Sequence, residues 1–164
     1  MIYLEDRVFN PSLKEQSRIA REMLLHGLSL EFGIRKMPEW EYLKNGKPIL
    51  KDYPDIHFNI SHCSQAVACA LMPYPVGIDV EKILEFDEDL ARFVSNDNEF
   101  GQILDSPDPA IAFTILWTKK ESFLKLTGLG LTTGEKIRNI LTDISCEFTT
   151  LINESSGYIL TLCK

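Results

Sequence analysis

The segment Trp117-Thr118-Lys119-Lys120-Glu121-Ser122-Phe123-Leu124-Lys125 gathers charge in a stretch that reads as helix. Spacing of i, i+4 puts Trp117, Glu121 and Lys125 on one stripe. A carboxylate and an ammonium one turn apart, with Lys120 close by, suit a metal-bound, negatively charged substrate. Upstream, Gly77-Ile78-Asp79-Val80-Glu81 offers two more carboxylates at i, i+2, which point the same way from a strand. Magnesium takes one or two protein carboxylates and completes its shell with water and phosphate oxygens. Asp79, Glu81 and Glu121 among lysines therefore suggest a magnesium–phosphate site.

Each fragment also has a plainer reading. An amphipathic strand end with solvated acids has the pattern of Asp79 and Glu81, and a Glu-to-Lys pair at i, i+4 is a common helix-surface pair. The setting tips the balance: an apolar approach (Ile111, Phe113, Ile115, Leu116, Trp117), then charge, then the turn Gly128-Leu129-Gly130-Leu131. A site at a lobe boundary has this layout. Phe58-Asn59-Ile60-Ser61-His62 ends a strand in a polar turn, where His62 could bind a phosphate oxygen with the Ser61 hydroxyl beside it. A hydrogen-bonded turn histidine is the alternative. Ser61 and His62 are adjacent and no G-x-S-x-G elbow exists, which sets aside a Ser-His-Asp hydrolase. Lys47, between Gly46 and Pro48, presents one charge stiffly but lacks the spacing of a phosphate-binding P-loop. Arg18 and Arg21 read as solvated helix charges.

The elements that position these groups follow from period and punctuation. A strand is expected over 2–9, then a helix from Asn10-Pro11-Ser12 to Phe32, with Ile19, Met23, Leu24, Leu28 and Leu30 on its apolar side. Asn45-Gly46-Lys47-Pro48 is a turn. Short strands over 57–61, 67–72 and 76–81 suggest a meander, broken at Cys63-Ser64-Gln65 and Pro73-Tyr74-Pro75. Helical patterns cover 86–94 and 97–104. Asp108-Pro109 starts a helix that runs through Lys125 and stops at Gly128. Residues 144–152 and 158–163 read as a hairpin. Helix followed by antiparallel strands occurs once before Pro75 and once after it, so the expected class is α+β, each half packing a long helix on a small sheet.

Composition bounds the rest. The 164 residues carry a net charge of −7, which argues against a general nucleic-acid binder. The early charges Glu5, Asp6 and Arg7 argue against a signal peptide, and no apolar run is long enough for a membrane span. Cys63, Cys69, Cys146 and Cys163 show neither CxxC nor metal-ligand spacing. A cytoplasmic protein with reduced thiols and no membrane or nucleic-acid partner is expected.

Taken in order, Gly46-Lys47-Pro48, Phe58–His62, Val76–Glu81 and Trp117–Lys125 with Gly128–Leu131 resemble the signature series of the Sfp-type 4′-phosphopantetheinyl transferases, over roughly Arg18 to Leu131. The resemblance implies a pseudo-twofold α+β fold in one compact two-lobe unit. Residues 1–75 would be a shortened N-terminal half that binds coenzyme A, and 76–164 a half carrying metal and catalytic residues. It implies a holo-acyl-carrier-protein synthase activity: Mg²⁺-dependent transfer of the phosphopantetheine arm of coenzyme A to a serine of an acyl or peptidyl carrier protein, releasing adenosine 3′,5′-bisphosphate. Asp79, Glu81 and Glu121 would hold magnesium, with Glu121 also the general base. Lys120 and Lys125 would neutralise phosphate charge. Lys47, Ser61 and His62 would bind the coenzyme's phosphates, and Arg18 its 3′-phosphate. The segment from Phe86 to Phe100 resembles the family's carrier-contacting region. With both halves in one chain, an active monomer is expected. A coenzyme-binding regulator without catalysis and a magnesium-dependent phosphohydrolase are the competing functions.

Overall fold

The computed structural model describes residues 1–7, 11–130 and 134–164, and its architecture is α+β. In chain order the elements are β1 (Ile2–Glu5), α1 (Leu13–Phe32), β2 (Trp40–Tyr42), β3 (Pro48–Leu50), β4 (His57–His62), β5 (Val67–Met72) and β6 (Gly77–Lys82). Then come α2 (Glu88–Val94), α3 (Asp97–Leu104), α4 (Pro109–Thr127), α5 (Glu135–Arg138), β7 (Phe148–Asn153) and β8 (Tyr158–Cys163). The expected strand over 2–9 ends at Glu5; its residues 8–9, Asn10 of the helix start and Leu131 of the glycine turn lie outside the described residues.

Both long helices begin and end on local chemistry. Ser12 accepts a hydrogen bond from Glu15 N at 3.3 Å, and Asp108 accepts one from Ile111 N at 3.0 Å with Pro109 opening the first turn. Gly33 and Gly128 close α1 and α4 at φ 69° and 68°, left-handed positions that a Cβ would strain. Leu30, expected on the apolar side of α1, is 65% exposed. It stands two residues past the buried Leu28, roughly 200° around the helix from it.

Among the described residues, one antiparallel sheet has the order β1-β5-β4, a second has β6-β8-β7, and β2 and β3 form a separate hairpin. Each three-stranded sheet is built as strand, long helix, hairpin, and the last strand of the hairpin pairs with the opening strand. The meander expected over 57–81 is thereby corrected. Pro73-Tyr74-Pro75 carries the chain away from β5, whose free edge β1 occupies, and β6 instead pairs with β8 (Ile78↔Leu162, Val80↔Leu160). The β2–β3 hairpin and α5 were not anticipated, since three or four residues show no usable period. Residues 144–147 precede β7 rather than joining it.

α1 covers one face of the first sheet with Leu24 and Leu28 on Phe58, Cys69 and Leu71. The small Ala66, Ala68 and Ala70 pack with Val76, Ile78, Val80, Leu160 and Leu162, which lets the second sheet approach closely. α4 lies on β6 and β8: a Cβ at Gly77 would overlap the Ser122 carbonyl and the Leu126 backbone. Edge strands β4 and β6 lie side by side, and here side chains stand in for a ladder. Asn59 Oδ1 accepts Ile78 N–H at 2.8 Å and Ser61 Oγ accepts Val80 N–H at 3.2 Å. Among the described residues the four cysteines are free, and no helix is long and apolar enough to cross a membrane.

Candidate active site at the seam between the sheets

The i, i+4 stripe on α4 meets the acids of β6. Trp117 Nε1 donates to Glu81 Oε1 at 3.3 Å. Lys125 Nζ lies 2.6 Å from Asp79 Oδ1 and 2.9 Å from Ser61 Oγ, while Ser61 Oγ donates to the same Asp79 Oδ1 at 2.9 Å. Lys125 thus crosses to β6 instead of closing a pair with Glu121 on its own helix. Asp79 is only 2% exposed, so the solvated-acid reading of this strand does not hold for it. Its Oδ2 and Glu121 Oε1 are buried with no hydrogen-bond partner among the described residues.

Gathered carboxylates raise one another's proton affinity. Burial, then the charge of Asp79, pushes Glu81 up to about 7. Burial and Asp79 push Glu121 upward as well. Partial enclosure, then the Lys125 ammonium, pulls His62 below its ordinary value. Buried carboxylate oxygens without donors beside like charge match what a hard divalent cation requires. Among the described residues no group of three or more His, Cys, Asp or Glu side chains is placed to hold a metal ion, so Asp79, Glu81 and Glu121 do not converge as the expected three-ligand set. Magnesium needs only one or two such ligands, so the donor set fits it.

Next to these groups opens a pocket of about 280 Å³, lined by Asn45–Pro48, Asn59, Ile60, Glu121, Leu124, Lys125, Gly128 and Gly130. Lys47 borders it, but its ammonium is turned onto the Leu126 carbonyl at 2.8 Å and the Val76 carbonyl at 3.4 Å. It caps the C-terminal end of α4, where a cation is favoured, and burial lowers its pKa. His62 stands at the solvent-exposed end of β4.

Of the residues expected to bind the coenzyme, Arg18, Ser61, His62 and Lys120 do not line this pocket. Lys120 is fully enclosed, with its ammonium 2.7 Å from Glu99 Oε2 and 2.8–2.9 Å from the carbonyls of Val94, Ile137 and Arg138. The expectation that it neutralises substrate phosphate is corrected: one residue along a helix turns the side chain by about 100°, so Lys120 and Glu121 serve different faces. Arg18 lies on the exposed side of α1, 2.7 Å from Glu22 and 3.8 Å from Glu15. In the segment from Phe86 to Phe100, Leu90 and Phe93 are about half exposed, while Phe100 is core. Asn59 was missed. Its signal was a polar residue at i, i+2 from Ser61, alternating with Phe58 and Ile60 along the strand.

Comparison with known proteins agrees with this region of the chain. A family model described as the 4′-phosphopantetheinyl transferase superfamily matches residues 75–161, which include Asp79, Glu81, Glu121 and Lys125. The 4′-phosphopantetheinyl transferase Sfp of Bacillus subtilis is 41% identical over 88 residues, 52% of this chain and 39% of that protein. The L-aminoadipate-semialdehyde dehydrogenase-phosphopantetheinyl transferase of Saccharomyces cerevisiae is 33% identical over 131 residues, 71% of this chain and 48% of its own length. The 4′-phosphopantetheinyl transferase HetI of Nostoc is 30% identical over 146 residues, 84% of this chain and 62% of that protein. The match thus spans less than two thirds of each of these relatives. Since the family model covers more than half of the sequence, the chain belongs to the 4′-phosphopantetheinyl transferase superfamily.

Proposed function

We propose that this chain transfers the 4′-phosphopantetheine arm of coenzyme A to a serine hydroxyl of an acyl or peptidyl carrier protein, with magnesium. The observation that carries the reading is the meeting of Asp79 and Glu121, each with a buried, unpartnered carboxylate oxygen, beside a pocket that Lys125 and Lys47 border. Asp79 and Glu121, with Glu81 next to them, would hold the ion, which when bound supplies charge neutralisation and polarisation of the pyrophosphate. Lys125 neutralises a phosphoryl oxygen. Lys47 orients the pyrophosphate if its ammonium swings from the Leu126 and Val76 carbonyls, and His62 meets a phosphate at the rim.

Chemistry at phosphorus is mainly positioning and charge stabilisation. The carrier serine oxygen forms a bond to the phosphorus of the phosphopantetheine arm. The bond from that phosphorus to the bridging oxygen breaks, and adenosine 3′,5′-bisphosphate leaves. Glu121 takes the serine proton; because a carboxylate beside a bound cation is a weak base, the ion would also have to acidify the hydroxyl. The half-exposed Leu90 and Phe93, close in sequence to the apolar groove of Leu84, Leu90, Phe113 and Trp117, would face the carrier. Residues 1–75 and 76–164 form the two halves of the unit, related by an approximate twofold. Both contribute to one pocket, so the active species is a monomer.

The experiment is an incubation with apo carrier protein, coenzyme A and Mg²⁺, read by intact mass. A carrier heavier by one phosphopantetheine is expected. Coenzyme bound without turnover would support a regulator, and coenzyme cleaved without a modified carrier a phosphohydrolase.

A further inference from the structure

We propose that Ser61 is a positioning residue rather than a phosphate ligand: it fixes Asp79 so that Oδ2 is the oxygen offered to a divalent cation. The inference rests on the proposed function for its context and departs from the role that resemblance assigns to this serine.

The argument is a count of hydrogen bonds. A serine hydroxyl has one donor and two acceptor lone pairs. At Ser61 the donor goes to Asp79 Oδ1, and the acceptors receive Val80 N–H and Lys125 Nζ. Nothing remains for a phosphate oxygen, which itself needs a donor. Asp79 shows the complementary asymmetry: Oδ1 is held by both Ser61 and Lys125, while Oδ2, equally buried, has no partner.

The seam makes this arrangement rigid. Two residues before Ser61, Asn59 grips Ile78 N–H as Ser61 grips Val80 N–H. These contacts bracket Asp79 from both sides and set its height against β4. A ligand carboxylate held by such outer contacts is oriented before any ion arrives, and losing them typically costs metal affinity. His62, one residue on and at the exposed end of the strand, stays available to a phosphate.

The test separates metal from coenzyme. Mn²⁺ alone, titrated into the protein and followed by electron paramagnetic resonance, reads the cation site. Coenzyme A titrated calorimetrically in excess EDTA reads the phosphate contacts. Ser61→Ala is expected to weaken Mn²⁺ binding about tenfold or more, with Ser61→Thr, which keeps the hydroxyl, within about threefold of the parent. Coenzyme binding in EDTA should stay within about twofold for both, because no phosphate contact is lost. If Ser61→Ala does not fold, Ser61→Cys, with its weak S–H donor, takes its place with the same expectation. Lost coenzyme binding with unchanged Mn²⁺ affinity would make Ser61 a phosphate ligand and overturn the proposal. So would a Ser61→Thr as weak for Mn²⁺ as Ser61→Ala, or a parent protein that binds coenzyme and no Mn²⁺. A protein whose Mn²⁺ affinity depends on the Ser61 hydroxyl yet which modifies no carrier keeps this inference and fails the proposed function.

Discussion

α1 and α4 look alike in sequence terms and behave differently in the fold. They have 20 and 19 residues, each starts on a side-chain cap, ends on a left-handed glycine and covers a three-stranded sheet. Both carry charge at i, i+4. In α1 the pair Arg18–Glu22 closes on itself at 2.7 Å, with both side chains more than half exposed. In α4 Glu121 faces the pocket and Lys125 reaches Asp79, 46 residues away in the chain. The difference lies in the strands beneath. β4 and β5 meet α1 with Phe58, Cys69 and Leu71, whereas β6 and β8 meet α4 with Asp79, Glu81 and Thr161, the last hydrogen-bonded to Thr118 at 2.8 Å. Charge spacing marks a helix surface; a second set of charges on the packed strand turns it into a site.

The sharpest way to break the comparison is to remove one carboxylate from each helix. Glu121→Ala should lower carrier modification about a thousandfold or more, through the lost base and ligand. Its thermal midpoint should hold or rise, since a buried oxygen without a partner disappears with the side chain. Glu22→Ala should leave carrier modification within about twofold, as a surface pair on the far helix. If instead Glu121→Ala transfers at near-parental rates, α4 is no more a catalytic helix than α1.

Lysines come next. Lys120→Met removes one partner of a buried ion pair and strands three carbonyls from α2 and α5. Urea unfolding should show about 3 kcal/mol or more of lost stability. The surface counterpart Arg18→Ala should cost less than about 0.5 kcal/mol in the same measurement. A Lys120→Met protein that keeps parental stability would show that the buried node is not structural.

The smallest effect reads the field of the site. By NMR, the His62 imidazole should titrate below the 6.5 of an unperturbed side chain. Lys125→Met should bring it only part of the way back, because enclosure is the larger cause and the ammonium the second. The sign for stability follows. With the folded value below the unfolded one, the contribution of His62 is present above pH 6.5 and lost as pH falls through the folded midpoint. A midpoint unmoved by Lys125→Met would show that the ammonium does not act on His62.

Much of this molecule was legible in the residues because it is local. Ser12, Asp108-Pro109, Gly33 and Gly128 mark helix ends through bonds and dihedrals that span three or four residues. The alternation in Gly77–Glu81 puts Asp79 and Glu81 on one face wherever the strand pairs. The meander held for β4 and β5, which pair as a hairpin, and failed at β6, since pairing partners need not be local. Val67–Met72 and Gly77–Lys82 are close in the chain, yet β5 pairs with β1 and β4 while β6 pairs with β8. Lys120 was misread because composition reports a charge near Glu121 and helical rotation decides which face it serves.

By themselves, then, the residues determined the types of the longer elements, the helix caps, the signature series and the acids that would meet a cation. Tertiary structure decided where each ammonium and hydroxyl is spent: Lys47 on the end of α4, Lys120 on α2, α3 and α5, Lys125 and Ser61 on Asp79. The physical reason is that a buried donor must find an acceptor. For all four of these side chains that acceptor arrives on a segment distant in sequence, so its identity is written only in the packing.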